Sequence, residues 1–439
     1  MVLWTRCIDG QRTSRSLYDA GRPRDLQHRR DGAVFRHAIC FGIDSGELCG
    51  AGVGWTVAPV YQTATREGAL KVFVLTDCPS PYQVELFNEI EERGECSLEV
   101  AYLRSRDPNR QWKSSVIQHA SIELDRSRDE MSRARESARK ADLAVFNYYR
   151  HSNAERLIHE RATSGGPWCF WGERPGFRQP AWAGRLLRKW KLAKLHATPA
   201  PIWGIGKFAV DEYRREFGAQ RAYFNLPYFS DLQRFAGSEP RDKSERMFLF
   251  SGSLIARKGV DLLARAFVRV AREVPNVKLR LIGAGELRET LAKTLRTVSE
   301  KVEFAGFRDW SELPSEYARA DVLCVPSRYD GWGLVVPEGL ASGLPVIGTD
   351  RMGAALEFVE TGRNGWLIRA GDEEAIFNAM REAALLPQYK LAALSRNARE
   401  SVSTHTLQNG ATRLYRCAQT VVAGWPSSDS SVLSAAQTI

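Results

Sequence analysis

The sequence predicts an α/β protein of two doubly wound domains facing a cleft. Two observations carry that reading. Short apolar, β-rich runs alternate with helical faces over residues 69–235, and the alternation starts again at 244 and continues to 405. Between the two sets lies a polar break, 235–243, with Gly237 and Pro240. A length of 439 residues accommodates both domains, and 44% hydrophobic with 26% charged residues is the composition of a globular chain.

The elements justify themselves in order. Residues 1–68 keep no helical or strand period, and all their basic residues are Arg. This segment is expected to lie outside the fold or upstream of the true start. Order begins at Leu70-Lys-Val-Phe-Val-Leu75, a strand by its apolar β-branched content, closed by the Thr-Asp77-Cys-Pro-Ser-Pro loop. Val84, Leu86, Phe87 and Ile90 then trace a helical face. Further strands are expected at 98–103, 143–148 and 168–171, with a helix at 129–141.

In the second set, strands are expected at 247–250, 277–282, 302–304, 322–325, 346–347 and 366–368. Helices are expected at 260–274, 286–298, 337–342 and 373–384, the first burying Leu262, Leu263, Phe267 and Val270. Residues 406–426 read as a closing helix that packs back on the first domain, and the Ser-rich 427–439 as a loose tail.

Several classes of function drop out. No run reaches the ~20 apolar residues of a membrane-spanning helix. Eight cysteines without C-x-x-C spacing support neither a zinc site nor a disulfide framework, and a reduced, cytoplasmic protein is expected. The net charge is +10, with its excess in the middle third of the chain. That excess suits nucleic acid, anionic lipid or an anionic substrate. Basic residues are not interleaved with aromatics as a stacking platform, which weighs against nucleic acid.

Chemistry concentrates where strands of the second set end, the place where open parallel sheets bind ligands. Ser251-Gly252-Ser253-Leu-Ile-Ala-Arg257-Lys258-Gly259 puts two cations at a helix start, a setting for an anion. Gly283-Ala-Gly285 is a second glycine turn. Pro326-Ser-Arg-Tyr-Asp330-Gly331-Trp332-Gly333-Leu334-Val-Val-Pro-Glu338 brackets a glycine-rich loop with two carboxylates. Backbone N–H groups of 331–334 are free to face ligand oxygens, and carboxylates accept from sugar or ribose hydroxyls.

These residues resemble the retaining family-4 (group 1) glycosyltransferases, whose fold, GT-B, pairs two Rossmann-like domains. The likeness rests on the acidic pair Asp330 and Glu338 around a glycine loop, on Gly339-Leu-Ala-Ser-Gly-Leu-Pro-Val346, on Thr361-Gly-Arg-Asn-Gly365, and on Gly306-Phe307 through Ala320-Asp321. It is strong over 245–385 and looser over 70–235. The resemblance implies that Lys258 contacts the donor diphosphate, Asp330 faces the donor sugar, and Glu338 binds the ribose. It implies that the 331–334 backbone cradles sugar and phosphate and that Phe304 to Phe307 lie near the base, while Gly252 allows close backbone approach of a ligand. Two positions depart from the family pattern. Asp330 stands where Glu is usual, and Ser253 where Arg is usual, so one diphosphate charge partner is missing unless Arg257 supplies it.

The implied activity is transfer of a hexosyl group, with retention, from a UDP-, GDP- or ADP-sugar to a glycan or lipid-linked acceptor, in surface polysaccharide or glycolipid synthesis. No cofactor is implied, and no D-x-D occurs to suggest a metal. The first domain would hold the acceptor, with Asp77 and Glu173 as candidates, although Glu173 also fits an ion pair with Arg174 or another base. An epimerase or hydrolase on the same fold, and a basic nucleic-acid-binding protein, are the alternatives. Finally, residues 182–195 form a basic amphipathic pattern: Trp182, Leu186, Leu187, Trp190 and Ala193 on one side, Arg185, Arg188, Lys189, Lys191 and Lys194 on the other. It reads either as an anchor on the inner face of the plasma membrane or as an ordinary helix packing Trp182 and Trp190 into the first domain.

Overall fold

A computed structural model of the chain describes residues 69–106, 116–175, 181–236 and 245–426. The readings of 1–68 and 427–439 fall outside these residues.

The first domain runs β1 (Leu70–Thr76), α1 (Pro81–Arg93), β2 (Cys96–Tyr102), β3 (Ala120–Glu123), α2 (Arg128–Lys140), β4 (Leu143–Phe146), α3 (Ser152–Thr163), β5 (Trp168–Gly172), α4 (Ala181–Lys191), α5 (Ala193–Ala197), β6 (Ile202–Gly204), α6 (Lys207–Phe217) and β7 (Tyr223–Asn225). The seven strands form one parallel sheet in the order β3-β2-β1-β4-β5-β6-β7. β1 and β4 are buried throughout their paired lengths, as parallel strands covered by helices on both faces must be.

The second domain runs β8 (Arg246–Ser251), α7 (Val260–Glu273), β9 (Val277–Ile282), α8 (Arg288–Thr294), β10 (Val302–Gly306), α9 (Leu313–Tyr317), β11 (Val322–Val325), α10 (Val335–Ala341), β12 (Val346–Thr349), α11 (Gly353–Phe358), β13 (Gly365–Ile368), α12 (Glu373–Leu385) and α13 (Gln388–Ser401). Its six parallel strands lie in the order β10-β9-β8-β11-β12-β13. α7 places Leu262, Leu263, Phe267 and Val270 in the core with Phe248, Leu279 and Ile376. The closing helix α14 (Leu407–Ala423) lies against α1, where Gly410 meets Phe229 and Leu86 and leaves no room for a Cβ.

Several expected elements differ in extent, among them the three that follow. The helix expected over 286–298 is broken: α8 stops at Thr294, and a 3-10 turn with Val298 at φ −135° follows. The strand expected over 143–148 ends at Phe146, where Asn147 turns its side chain to the Trp171 carbonyl at 2.8 Å. The helix expected over 337–342 begins two residues earlier, at Val335. Among the described residues Cys78, Cys96, Cys169, Cys324 and Cys417 are buried free thiols, and no helix is long and apolar enough to cross a membrane.

Candidate functional site

In each sheet the strand order reverses once, between β1 and β4 and between β8 and β11. The reversal opens a crevice at the carboxyl ends of the two strands. In the second domain both strands end in the loops singled out by sequence. Those loops stack closely because glycines remove what would clash. Gly259, at φ 70°, caps the turn carrying Lys258, and a Cβ there would overlap the Pro326 carbonyl. A Cβ on Gly283 would likewise overlap the carbonyl of Gly252. Gly252 N–H donates to Ile282 O at 3.0 Å and Gly283 N–H to Gly306 O at 2.8 Å, so the ends of β8, β9 and β10 are laced together.

This lacing brings Lys258 against Asp330. The two form an ion pair, with side chains 18% and 14% exposed. Arg328 forks onto Asp261 at 2.6 and 2.7 Å and accepts no slack, since its own N–H donates to Arg257 O at 2.9 Å. Asp330 is fixed by its N–H to Arg351 O at 3.0 Å and by a parallel bridge to Met352. Arg257 donates to Tyr329 O at 3.0 Å from an exposed position beside Lys258, and Ser253 lies half-buried on the same loop. Among the described residues no backbone carbonyl pairs with the N–H groups of Gly331, Trp332, Gly333 or Leu334. The loop that follows Asp330 thus carries four backbone donors, and the facing loop carries two cations, Lys258 paired with Asp330 and Arg257 on the Tyr329 carbonyl, a combination suited to anionic oxygens.

The remaining expected residues fall in different settings. The Trp332 side chain is buried against Gly206 of the first domain, with Phe358 and His405 beside it, so only its backbone faces the crevice. Phe307 stands 41% exposed after Gly306, while the neighbouring Phe304 ring is covered by Arg288 at 3.6 Å. Glu338 lies beneath the loop, 4% exposed, accepting from the Tyr317 hydroxyl at 3.2 Å. Burial pushes its carboxyl up to about 7, with the Tyr317 hydrogen bond and the Arg234 charge opposing the rise. The 3-10 turn Leu232–Phe235 packs over α10 on this side, with Phe235 edge-on to Tyr317 at 5.3 Å.

From the first domain, the Glu173 carboxylate reaches the Gly331 backbone, so closely that a Cβ on residue 331 would push it aside. Its neighbour Arg174 pairs with Glu212 at 3.6 Å, and Tyr329 donates to the Arg174 carbonyl at 2.5 Å. Asp77 is engaged by Arg104, Nε to Oδ1 at 3.0 Å. Sequence reasoning missed Glu357 on α11. It accepts from Lys207 N–H at 2.9 Å and Asn225 Nδ2 at 3.0 Å, tying the two domains together. It also missed His405, stacked on Phe229 at 4.3 Å and bonded to Tyr228 O at 2.9 Å. Both act across more than a hundred residues, and no local pattern signals such a contact.

Residues 233–401 match the family model described as glycosyl transferases group 1. Over these residues the chain is similar to a group 1 glycosyltransferase domain. The GDP-mannose-dependent monoacylated α-(1-6)-phosphatidylinositol monomannoside mannosyltransferase of Corynebacterium glutamicum is 26% identical over 252 residues, 53% of this chain and 62% of that protein. A GDP-mannose-dependent α-(1-6)-phosphatidylinositol monomannoside mannosyltransferase of Mycolicibacterium smegmatis is 30% identical over 202 residues, 42% of this chain and 53% of that protein. The chain thus matches little more than half the length of these curated relatives. Sucrose-phosphate synthase from Thermosynechococcus elongatus superimposes with a TM-score of 0.65 at 19% identity, over 81% of this chain and 99% of that one. The Anabaena protein HepE, solved with UDP and glucose, gives 0.61 at 16% identity, over 80% and 100%. The matched region and the domain before it together have the GT-B fold.

Proposed function

We propose that the protein is a glycosyltransferase that moves a hexosyl group from a nucleotide sugar to a glycan or lipid-linked acceptor, with retention and without a metal or cofactor. The observation that carries this reading is the Lys258–Asp330 pair beside four open backbone N–H groups, at the strand reversal of a domain that matches the group 1 family. The donor diphosphate sits against Lys258, Arg257 and the 331–334 backbone, and Asp330 accepts from donor sugar hydroxyls. Phe307 flanks the base and Glu338 the ribose. The acceptor approaches from the side of Glu173 and Asp77.

Retention fits a front-face displacement. The acceptor oxygen bonds to the anomeric carbon on the face from which the diphosphate departs. The anomeric C–O bond breaks, and the acceptor proton passes to the departing phosphate oxygen. Lys258 and the backbone donors stabilise the negative charge that grows there, where such groups are worth the most. In the proposal the protein cations Lys258 and Arg257 carry this task.

GDP-mannose is the first donor to try, because two of the curated relatives are named for it. The test incubates the full chain with GDP-mannose, UDP-glucose or ADP-glucose and a lipid or glycan acceptor, with and without EDTA, and reads the product anomer by NMR. Transfer with the donor's anomeric configuration, unaffected by EDTA, is expected. An inverted product overturns the mechanism. Donor hydrolysis or epimerisation that no acceptor suppresses overturns the transfer reading.

A further inference from the structure

Helix α4 faces the wrong way for a helix that completes a core. Trp182, Leu186, Leu187 and Trp190 are 65%, 59%, 54% and 69% exposed. Its basic side turns inward instead. Arg188 forks onto Glu216, Nη2 to Oε2 at 2.7 Å and Nε to Oε1 at 3.0 Å, with side chains only 14% and 9% exposed. Lys191 pairs with Glu155. The chain then leaves the helix through Leu192, and both Leu192 and Leu195 are buried. Two ion pairs and the turn that follows thus attach α4, and its apolar stripe is left outward.

The stripe has a border of one sign. At 100° per residue, Trp182, Leu186 and Trp190 form its centre, with Arg185 and Lys189, both exposed, along one edge. No Asp or Glu occurs from Arg174 to Val210. A second copy of this surface would set basic edge against basic edge, which disfavours self-association. An apolar stripe ending in tryptophans and edged by cations is the complement of an anionic lipid surface. The rings enter the headgroup boundary and the cations meet phosphates.

We propose that α4 is a lipid-docking surface that seats the protein on anionic membranes, with Trp182, Leu186, Leu187 and Trp190 immersed and Arg185 and Lys189 against headgroups. Arg188 and Lys191, grouped by sequence with the lipid-facing cations, instead hold the helix to the protein. The proposal does not rest on the transfer reading.

The test is flotation of the full chain with phosphatidylcholine vesicles, with or without phosphatidylglycerol. Flotation only with the anionic vesicles, released by high salt, is expected. Arg185→Glu with Lys189→Glu is expected to weaken partitioning roughly 30-fold or more, since each basic residue near such a surface contributes an affinity factor of about 5 and reversal adds repulsion. Trp182→Ala with Trp190→Ala is expected to abolish flotation and the blue shift of tryptophan emission, with circular dichroism and thermal midpoint unchanged. Absence of flotation by the unaltered chain overturns the proposal. So does flotation of either double variant equal to it, or a concentration-dependent dimer that the tryptophan variant dissolves in the absence of lipid.

Discussion

The same crevice occurs twice in this molecule, and the two copies are finished differently. Where β1 and β4 part, the strand ends close on themselves. Thr76 and Gln83 both meet the Asn147 carboxamide, at 3.0 and 2.9 Å, and Asn147 donates to Trp171 O. The Asp77 carboxylate at that rim is held by Arg104. Where β8 and β11 part, glycines replace such side chains, backbone N–H groups are left open, and the facing loop carries two cations, Lys258 and Arg257. Equal topology therefore provides two crevices, but only the second is prepared for an anion. The first offers shape and the Glu173 carboxylate. On the proposed function, this difference assigns leaving-group chemistry to the second domain and acceptor selection to the first.

The sharpest way to break the comparison is the same truncation on each rim. Lys258→Ala is expected to lower kcat/KM about 100- to 1000-fold, the loss typical when one preorganised donor to a developing charge is removed. Arg104→Ala, which removes the cation of the first rim, is expected to change turnover by less than about fivefold. Equal losses would mean that the two rims share the charge work, and the division of labour would fail.

Glu338 gives the next largest effect, and its counterpart across the interface is Glu85. Both carboxyls are raised by burial, but Glu85 has Arg234 paired with it, whereas the Glu338 partner is the Tyr317 hydroxyl. With its folded value at about 7 against the usual 4.5, Glu338 keeps its proton in the folded chain while the unfolded chain loses it. Stability attributable to Glu338 therefore falls as pH rises from about 4.5 to about 7 and is level outside that window. At ~1.4 kcal/mol per pKa unit the total is on the order of 3 kcal/mol. Glu338→Gln removes the titrating proton and keeps the shape. Its thermal midpoint is expected to overtake that of the unaltered chain progressively across the window, by a few °C above about pH 7. Parallel pH profiles would show that the carboxyl is not desolvated, and would expose it to a ribose without any movement of the Leu232–Phe235 turn.

The same contrast decides what the sequence could reveal. The second sheet was readable because parallel strands buried on both faces are continuous apolar runs, such as Val322–Val325, and because its loops need glycine at Gly259 and Gly283 for reasons of space. In the first sheet β3, β6 and β7 are three or four residues long, too short for a period to show, and none was expected. The Lys258 and Asp330 positions were visible; their pairing was not, because it spans 72 residues and depends on the Arg328–Asp261 lock. Helix α4 teaches the converse. Its amphipathic pattern resembles that of α7, yet α7 buries its stripe and α4 exposes it. Periodicity fixes that a helix has two faces, while Glu216 and Glu155, distant in sequence, choose which one turns inward.

The finest test of the comparison lies within the Lys258–Asp330 pair. On the first rim, removing Asp77 only frees Arg104 at a part-exposed site, where an ion pair contributes little. On the second rim, the two residues share one setting and also face the same ligand, so their effects cannot be independent. Asp330→Ala leaves Lys258 without its carboxylate in a nearly buried site. The freed ammonium then attracts a nucleoside diphosphate more strongly, while the sugar loses an acceptor for its hydroxyls. Asp330→Ala is therefore expected to lower turnover, yet to bind free GDP or UDP at least as tightly as the unaltered chain, with a gain of up to about tenfold. Lys258→Ala should weaken that binding, and adding Asp330→Ala to it should produce no gain, because the cation being released is gone. Calorimetry across the four proteins reads this coupling directly, at about 1 kcal/mol. Additive effects, or a loss of diphosphate affinity in Asp330→Ala alone, would separate the two residues and return Asp330 to a purely structural role at the end of β11.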